Sequence, residues 1–259
     1  MSLLIKSAHE GVRLCLWLCL LLTFNSFAHA ADVRIAVAAN FTDTNRDLVA
    51  AFGRATGLEA VASYGSTGKL YAQIENGAPF DVFLAADSRR PELLEKNGLG
   101  VAGTRFNYAK GKLVLWSPVP GTFDDPRAWL ESGDFSRLAI ANPKTAPYGL
   151  AAREVLSSLY LWEPLQDRLV RGDSIAQTFQ FVATANAQAG FVALSQVRGW
   201  GKEDGSLWMI PQSHYAPINQ QAILLSRSEN NDAARQWLRF LRSDIARSII
   251  ENSGYETEH

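Results

Sequence analysis

The sequence is short of cysteine, histidine and net charge, and each shortage removes a class of function. Its 259 residues carry two cysteines, Cys15 and Cys19, both within the first thirty. Beyond residue 30 no disulfide and no Cys-ligated metal is expected. An oxidising compartment is tolerated, because nothing in that part can form a wrong disulfide. Of four histidines, His214 and His259 alone follow residue 30. A His-rich metal site is therefore not expected. A Ser-His-acid triad would have to use His214, since His259 lies at a terminus expected to fray. Basic and acidic side chains number 25 and 26. That balance argues against broad nucleic-acid binding. Any bound anion must then be held by local geometry rather than bulk charge.

Long apolar runs are also missing. The longest, residues 14–24 (LCLWLCLLLTF), falls short of the ~20 residues that span a membrane. Lys6 and Arg13 precede it and give a positive start, and Ala28-His29-Ala30 forms an A-x-A pattern before Ala31. Residues 1–30 therefore read as a cleavable secretory signal peptide. A transmembrane anchor is the competing reading, and polar Asn25, Ser26 and His29 interrupt it too early. Neither cysteine is placed as a lipoprotein anchor requires. Cleavage leaves 229 residues with 23 basic and 25 acidic side chains, enough for two domains of ~100 residues each.

Short apolar runs alternate with helical periodicity along the rest. Residues 33–39 (VRIAVAA) read as a strand, and Leu48, Ala51, Phe52 and Ala55 recur at helical spacing until Gly57. Residues 58–62 and 81–85 read as two more strands. Between them Ser66 or Thr67 caps a helix that Gly77 ends. Residues 111–116 (GKLVLW) read as one longer strand before a Pro/Gly-rich loop. A second alternating set follows, with strands at 138–141, 190–194 and 222–225 and helices after Gly149 and Asp173; two helices close the chain, one with Ala234, Trp237, Leu238 and Leu241, the next with Ile245, Ile249 and Ile250. The expected fold is α/β, with two lobes, each an open and mostly parallel sheet flanked by helices. Residues 31–111 plus 218–259 are expected to form lobe I, and 112–217 lobe II. Ligands of such sheets lie beyond the strand C-termini, where helices begin. Asn40, Ser66/Thr67 and Tyr148-Gly149 all fall at such turns.

The stretch Tyr64-Gly65-Ser66-Thr67-Gly68-Lys69 has the look of a phosphate loop or a nucleophile turn, and fits neither. A P-loop needs glycine where Ser63 stands and Ser or Thr where Leu70 stands. A nucleophile elbow centred on Ser66 needs glycine where Tyr64 stands. A serine-type hydrolase using Ser66 stays a minor alternative. Two readings remain for the hydroxyls: ordinary helix caps, or donors to an anion at a helix N-terminus. Repetition of the pattern in both halves favours the anion.

The matching stretches are Ala38-Ala39-Asn40-Phe41, Tyr64-Gly65-Ser66-Thr67-Gly68, the eleven residues from Gly77 to Asp87 (GAPFDVFLAAD), Ala146-Pro147-Tyr148-Gly149-Leu150 and Gly190-Phe191-Val192-Ala193. On these the chain resembles the periplasmic molybdate-binding proteins, the substrate-binding components of ABC transporters. The resemblance implies the two-lobed periplasmic binding protein fold (type II) with an oxyanion clamped between the lobes. The implied ligand is molybdate or tungstate, with molybdenum present only inside the oxyanion. No cofactor and no catalysis are implied. The implied ligand-binding residues are Asn40, through its side-chain amide, and Ser66 and Thr67, through their hydroxyls. Tyr148 and Val192 are implied to act through backbone N–H groups. Ala39 stands where some relatives have a hydroxyl, and Tyr215 is a candidate for a further tyrosine contact. A periplasmic location, an inner-membrane ABC permease as partner and a monomeric state go with this resemblance. Sulfate or another small oxyanion is the alternative ligand.

Overall fold

The computed structural model describes residues 31–201 and 205–257. The expected signal peptide, with Cys15 and Cys19, and His259 lie outside the described residues. Along the chain run β1 (Val33–Ala38), α1 (Thr42–Thr56), β2 (Ala60–Gly65), α2 (Thr67–Glu75), β3 (Val82–Ala85), α3 (Arg89–Lys96) and β4 (Phe106–Gly111). Then come β5 (Leu113–Ser117), α4 (Pro126–Ser132), β6 (Leu138–Ala141), α5 (Pro147–Ser158), β7 (Leu169–Gly172), α6 (Ile175–Ala183) and β8 (Ala189–Ala193). The chain closes with α7 (Leu194–Gly199), β9 (Ser206–Met209), β10 (Ile218–Leu224), α8 (Asp232–Phe240) and α9 (Asp244–Asn252). Among the described residues no helix is long and apolar enough to cross a membrane.

The strands form two five-stranded sheets, ordered β2-β1-β3-β10-β4 and β7-β6-β8-β5-β9. In the first, β1 pairs in parallel with β2 and β3, and β10 runs antiparallel to β3 and β4. In the second, β6 pairs in parallel with β7 and β8, and β5 runs antiparallel to β8 and β9. The same order recurs, so each lobe repeats one mixed plan. The run expected as one strand at 111–116 is divided: Gly111 ends β4 in one sheet, Leu113 opens β5 in the other, and Lys112 joins them. Periodicity cannot reveal such a division, because the chain stays extended from Gly111 to Leu113 with a single residue between the two strands.

Local chemistry sets the element ends. Gly57 closes α1 at φ +74 and donates its N–H to Gly53 O, the left-handed ending that glycine adopts without a Cβ penalty. Pro147 opens α5 at a position where the missing N–H costs nothing. Asp125, Ser174, Asn231 and Ser243 cap their helices with side-chain oxygens. The central strands β3, β5, β6 and β8 are buried along their whole length, as strands covered on both faces must be. Ala38, Ala39 and Ala86 of the first lobe pack into the core of the second, beside Tyr148, Tyr215 and Ile218. The lobes therefore meet along an apolar seam at the ends of β1 and β3.

Candidate functional site

Helices begin just beyond the parallel strands at this seam. The turn 39–41 follows β1, Ser66 and Thr67 follow β2, Tyr148 lies in the first turn of α5 and Ile175 opens α6. Helix starts leave N–H groups without intrahelical acceptors and carry partial positive charge. Four such starts, two from each lobe, suit an anion better than a cation or a neutral ligand.

Ser66 occupies the N-cap position of α2 but makes no capping bond. Its residue is 4% exposed, and its Oγ is buried without a hydrogen-bond partner. The sequence left open whether this hydroxyl serves its own helix, and it does not. A buried hydroxyl without a partner is costly, so this one points to an absent acceptor. Thr67 Oγ1 accepts from Ala86 N at 3.1 Å, which fixes the side chain and leaves its proton to donate. Thr145, in the loop before α5, has a second buried hydroxyl without a partner.

Asn40 is placed at the seam, but its amide is already engaged. Nδ2 donates to Gln220 Oε1 at 2.9 Å and to Tyr255 Oη at 3.1 Å. Its carbonyl accepts from Tyr255 Oη at 2.7 Å and from Ser195 Oγ at 3.2 Å. Both amide protons are spent on protein acceptors, so the side-chain donation expected from the sequence is unavailable. What Asn40 presents is its backbone. Gln220 completes the arrangement: its Oε1 also accepts from Tyr108 Oη at 3.0 Å, and its Nε2 donates to Tyr148 Oη at 3.3 Å. Burial raises the phenol pKa values of Tyr108, Tyr148 and Tyr255, so all three remain neutral hydrogen-bonding groups. The network ties Asn40 of the first lobe to Tyr148 and Ser195 of the second.

Two expected residues have other duties. Val192 lies within β8, and its side chain packs with Trp116 and Phe179. The N–H of Leu194 donates to Lys112 O. Antiparallel pairs alternate, so the Val114–Val192 pair two residues on is again hydrogen-bonded. The Val192 N–H thus points at β5 and not into the seam. The nearer helix start in the second lobe is that of α6, which Ser174 caps and Ile175 opens. Gly172-Asp173-Ser174 at the end of a parallel strand was the available signal for it. Tyr215 Oη accepts from Leu113 N at 3.2 Å, bracing the crossing between β4 and β5. Ala39 is 6% exposed and lies against the second lobe. Gln220 and Tyr255 were missed. The polar interruption of an apolar strand at Gln220 was the one clue to the first.

Among the described residues the Ser66 hydroxyl is not paired with a histidine. His214 Nδ1 pairs with Ser158 Oγ at 2.8 Å, and Ser66 Oγ has no basic partner. Among the described residues no cluster of three His, Cys, Asp or Glu side chains could hold a metal ion.

The family described as bacterial extracellular solute-binding protein matches residues 33–256. The chain is 52% identical over 229 residues to the molybdate-binding protein ModA of Azotobacter vinelandii, covering 88% of this chain and 91% of that one. It is 48% identical over 231 residues to ModA of Rhodobacter capsulatus, covering 89% and 90%. Among solved structures, a periplasmic molybdate-binding protein of Azotobacter vinelandii superposes with a TM-score of 0.84 at 40% identity, covering 88% of this chain and all of that one. A sulfate-binding protein of Mycobacterium tuberculosis shares the fold at a TM-score of 0.72 and 13% identity. The chain belongs to the bacterial extracellular solute-binding proteins, in the family of the molybdate-binding proteins ModA.

Proposed function

We propose that the protein holds molybdate, and tungstate as its near-isostere, at the seam between the lobes and delivers it to the permease of an ABC transporter. The observation that carries this reading is the Ser66 hydroxyl, buried and without a partner beside a helix start. A dianion there would take hydrogen bonds from Ser66 and Thr67 and from backbone N–H groups at Asn40, Tyr148 and Ile175. Charge-assisted bonds contribute roughly 1.5–3 kcal/mol each. Five to seven of them outweigh the loss of hydration and the cost of ordering the lobes, for an affinity in the ~μM to nM range.

None of these groups is a carboxylate, so none accepts the proton that hydrogen phosphate carries at neutral pH. Phosphate is rejected on that ground. Sulfate is separated from molybdate by size alone. Residues 31–111 with 218–259 form one lobe in this reading and 112–217 the other, joined at Lys112 and ahead of β10. The mature protein works as a periplasmic monomer after loss of residues 1–30. Calorimetric titration of that form with molybdate, tungstate, sulfate and phosphate tests the reading. Tight binding of the first two and none of phosphate is the expected result. Sulfate binding as tight as molybdate binding would replace the ligand, and binding of no oxyanion would remove the reading.

A further inference from the structure

Away from the Asn40 network, the lobes also touch directly at the start of α2. Gly68 N donates to Thr145 O at 2.8 Å, a backbone hydrogen bond from the first lobe to the second. Gly68 lies in the first turn of α2 and its φ is not positive. Its backbone therefore has no need of glycine. Space supplies the need: a Cβ at Gly68 would lie 3.0 Å from both Thr145 Cα and Thr145 O, and 2.9 Å from Arg90 Nη2. The arginine tip could swing aside, but the Thr145 backbone could not. Its loop is pinned by Thr145 N and Ala146 N donating to Asn142 O at 3.2 and 2.9 Å, and by Lys144 N donating to Asn142 Oδ1 at 3.0 Å. Two flanking contacts cross the same seam: Lys69 Nζ with Asp173 Oδ2 at 2.8 Å, and Arg90 Nη2 to Lys144 O at 3.2 Å. One unpartnered hydroxyl, that of Ser66, lies two residues before Gly68, and the other belongs to Thr145 itself.

We propose that Gly68 and Thr145 form the latch of the closed cleft, making Gly68 an affinity-determining residue that touches no ligand. The inference rests on the oxyanion-binding reading for its effect on affinity. Bare glycine lets two backbones approach to hydrogen-bonding distance, and any side chain there wedges the lobes apart. The neighbouring ion pair contributes little, because Lys69 and Asp173 are 51% and 72% exposed.

The test uses the mature protein, its Gly68→Ala and Gly68→Leu variants, and Lys69→Ala. Alanine is the better helix former at an ordinary helical position, so Gly68→Ala keeps or raises the melting temperature of the unliganded protein. Its molybdate affinity falls about tenfold or more, through faster release. Gly68→Leu weakens binding further, and Lys69→Ala changes it less than about fivefold. Small-angle scattering at saturating molybdate gives a larger radius of gyration for Gly68→Ala than for wild type. Wild-type affinity and an equal radius in Gly68→Ala would overturn the latch. A wild type that binds no oxyanion would remove the functional reading alone. The radii of the unliganded proteins then decide the latch: a larger one for Gly68→Ala supports it, and equal radii overturn it.

Discussion

Replacing Gln220 with leucine tests the seam network most sharply. Gln220 is fully buried, and leucine is close to it in size but can neither accept nor donate. The change removes the acceptor of one Asn40 amide proton and of Tyr108 Oη, and the donor to Tyr148 Oη. Tyr108 keeps an alternative acceptor in Ala85 O at 3.2 Å. That leaves two buried polar groups, on Asn40 and Tyr148, without their partners. Each such group costs roughly 1–3 kcal/mol, so the expected loss is ~2–6 kcal/mol. For a chain of this length 1 kcal/mol moves the melting temperature by about 2–4 °C, which puts Gln220→Leu near 10 °C below wild type. Urea unfolding followed by tryptophan fluorescence measures the loss as a shift in midpoint at constant slope. Tyr108→Phe is the control and should cost under about 1.5 kcal/mol, because Gln220 Oε1 retains Asn40. Gln220→Leu should also weaken molybdate binding, since Asn40 then loses one of the bonds that orient its backbone. A loss below 1 kcal/mol for Gln220→Leu would refute the network as a constraint on the seam.

Ser66→Ala removes a hydroxyl that has no protein partner, so thermal stability should hold or rise while molybdate affinity falls ~10- to 100-fold by titration, the worth of one charge-assisted bond. Val192→Ala should behave oppositely, losing about 1–3 kcal/mol in denaturant unfolding as a core truncation, with molybdate affinity within threefold of wild type at a temperature where both are folded. Glu95 has its pKa lowered, first by the Gly103 N–H and then by Arg105. A lowered carboxylate stabilises the fold above its unfolded pKa of about 4.3 and loses that contribution as pH falls through the lower folded value. Wild type should therefore exceed Glu95→Gln in melting temperature at pH 7, and the difference should shrink steadily below pH 4.

The alternation of short apolar runs with helical periodicity determined a great deal by itself. It located most of the strands and helices, the two-lobed α/β plan, and the strand-to-helix turns at Asn40, Ser66 and Tyr148. Those features are local: a strand's period, a glycine stop and a proline start act within a few residues. Tertiary structure decided the rest. It split residues 111–116 between two sheets, and it turned the Val192 N–H toward β5 by the register of a strand far along the chain. It captured the Asn40 amide with Gln220 and Tyr255, residues 180 and 215 positions away. It left Ser66 Oγ unpaired, and it brought Thr145 against Gly68, whose sequence position suggests no more than a turn glycine. Each of these outcomes depends on which distant backbone or polar group arrives nearby, and that is set by packing two lobes together rather than by any pattern along the chain.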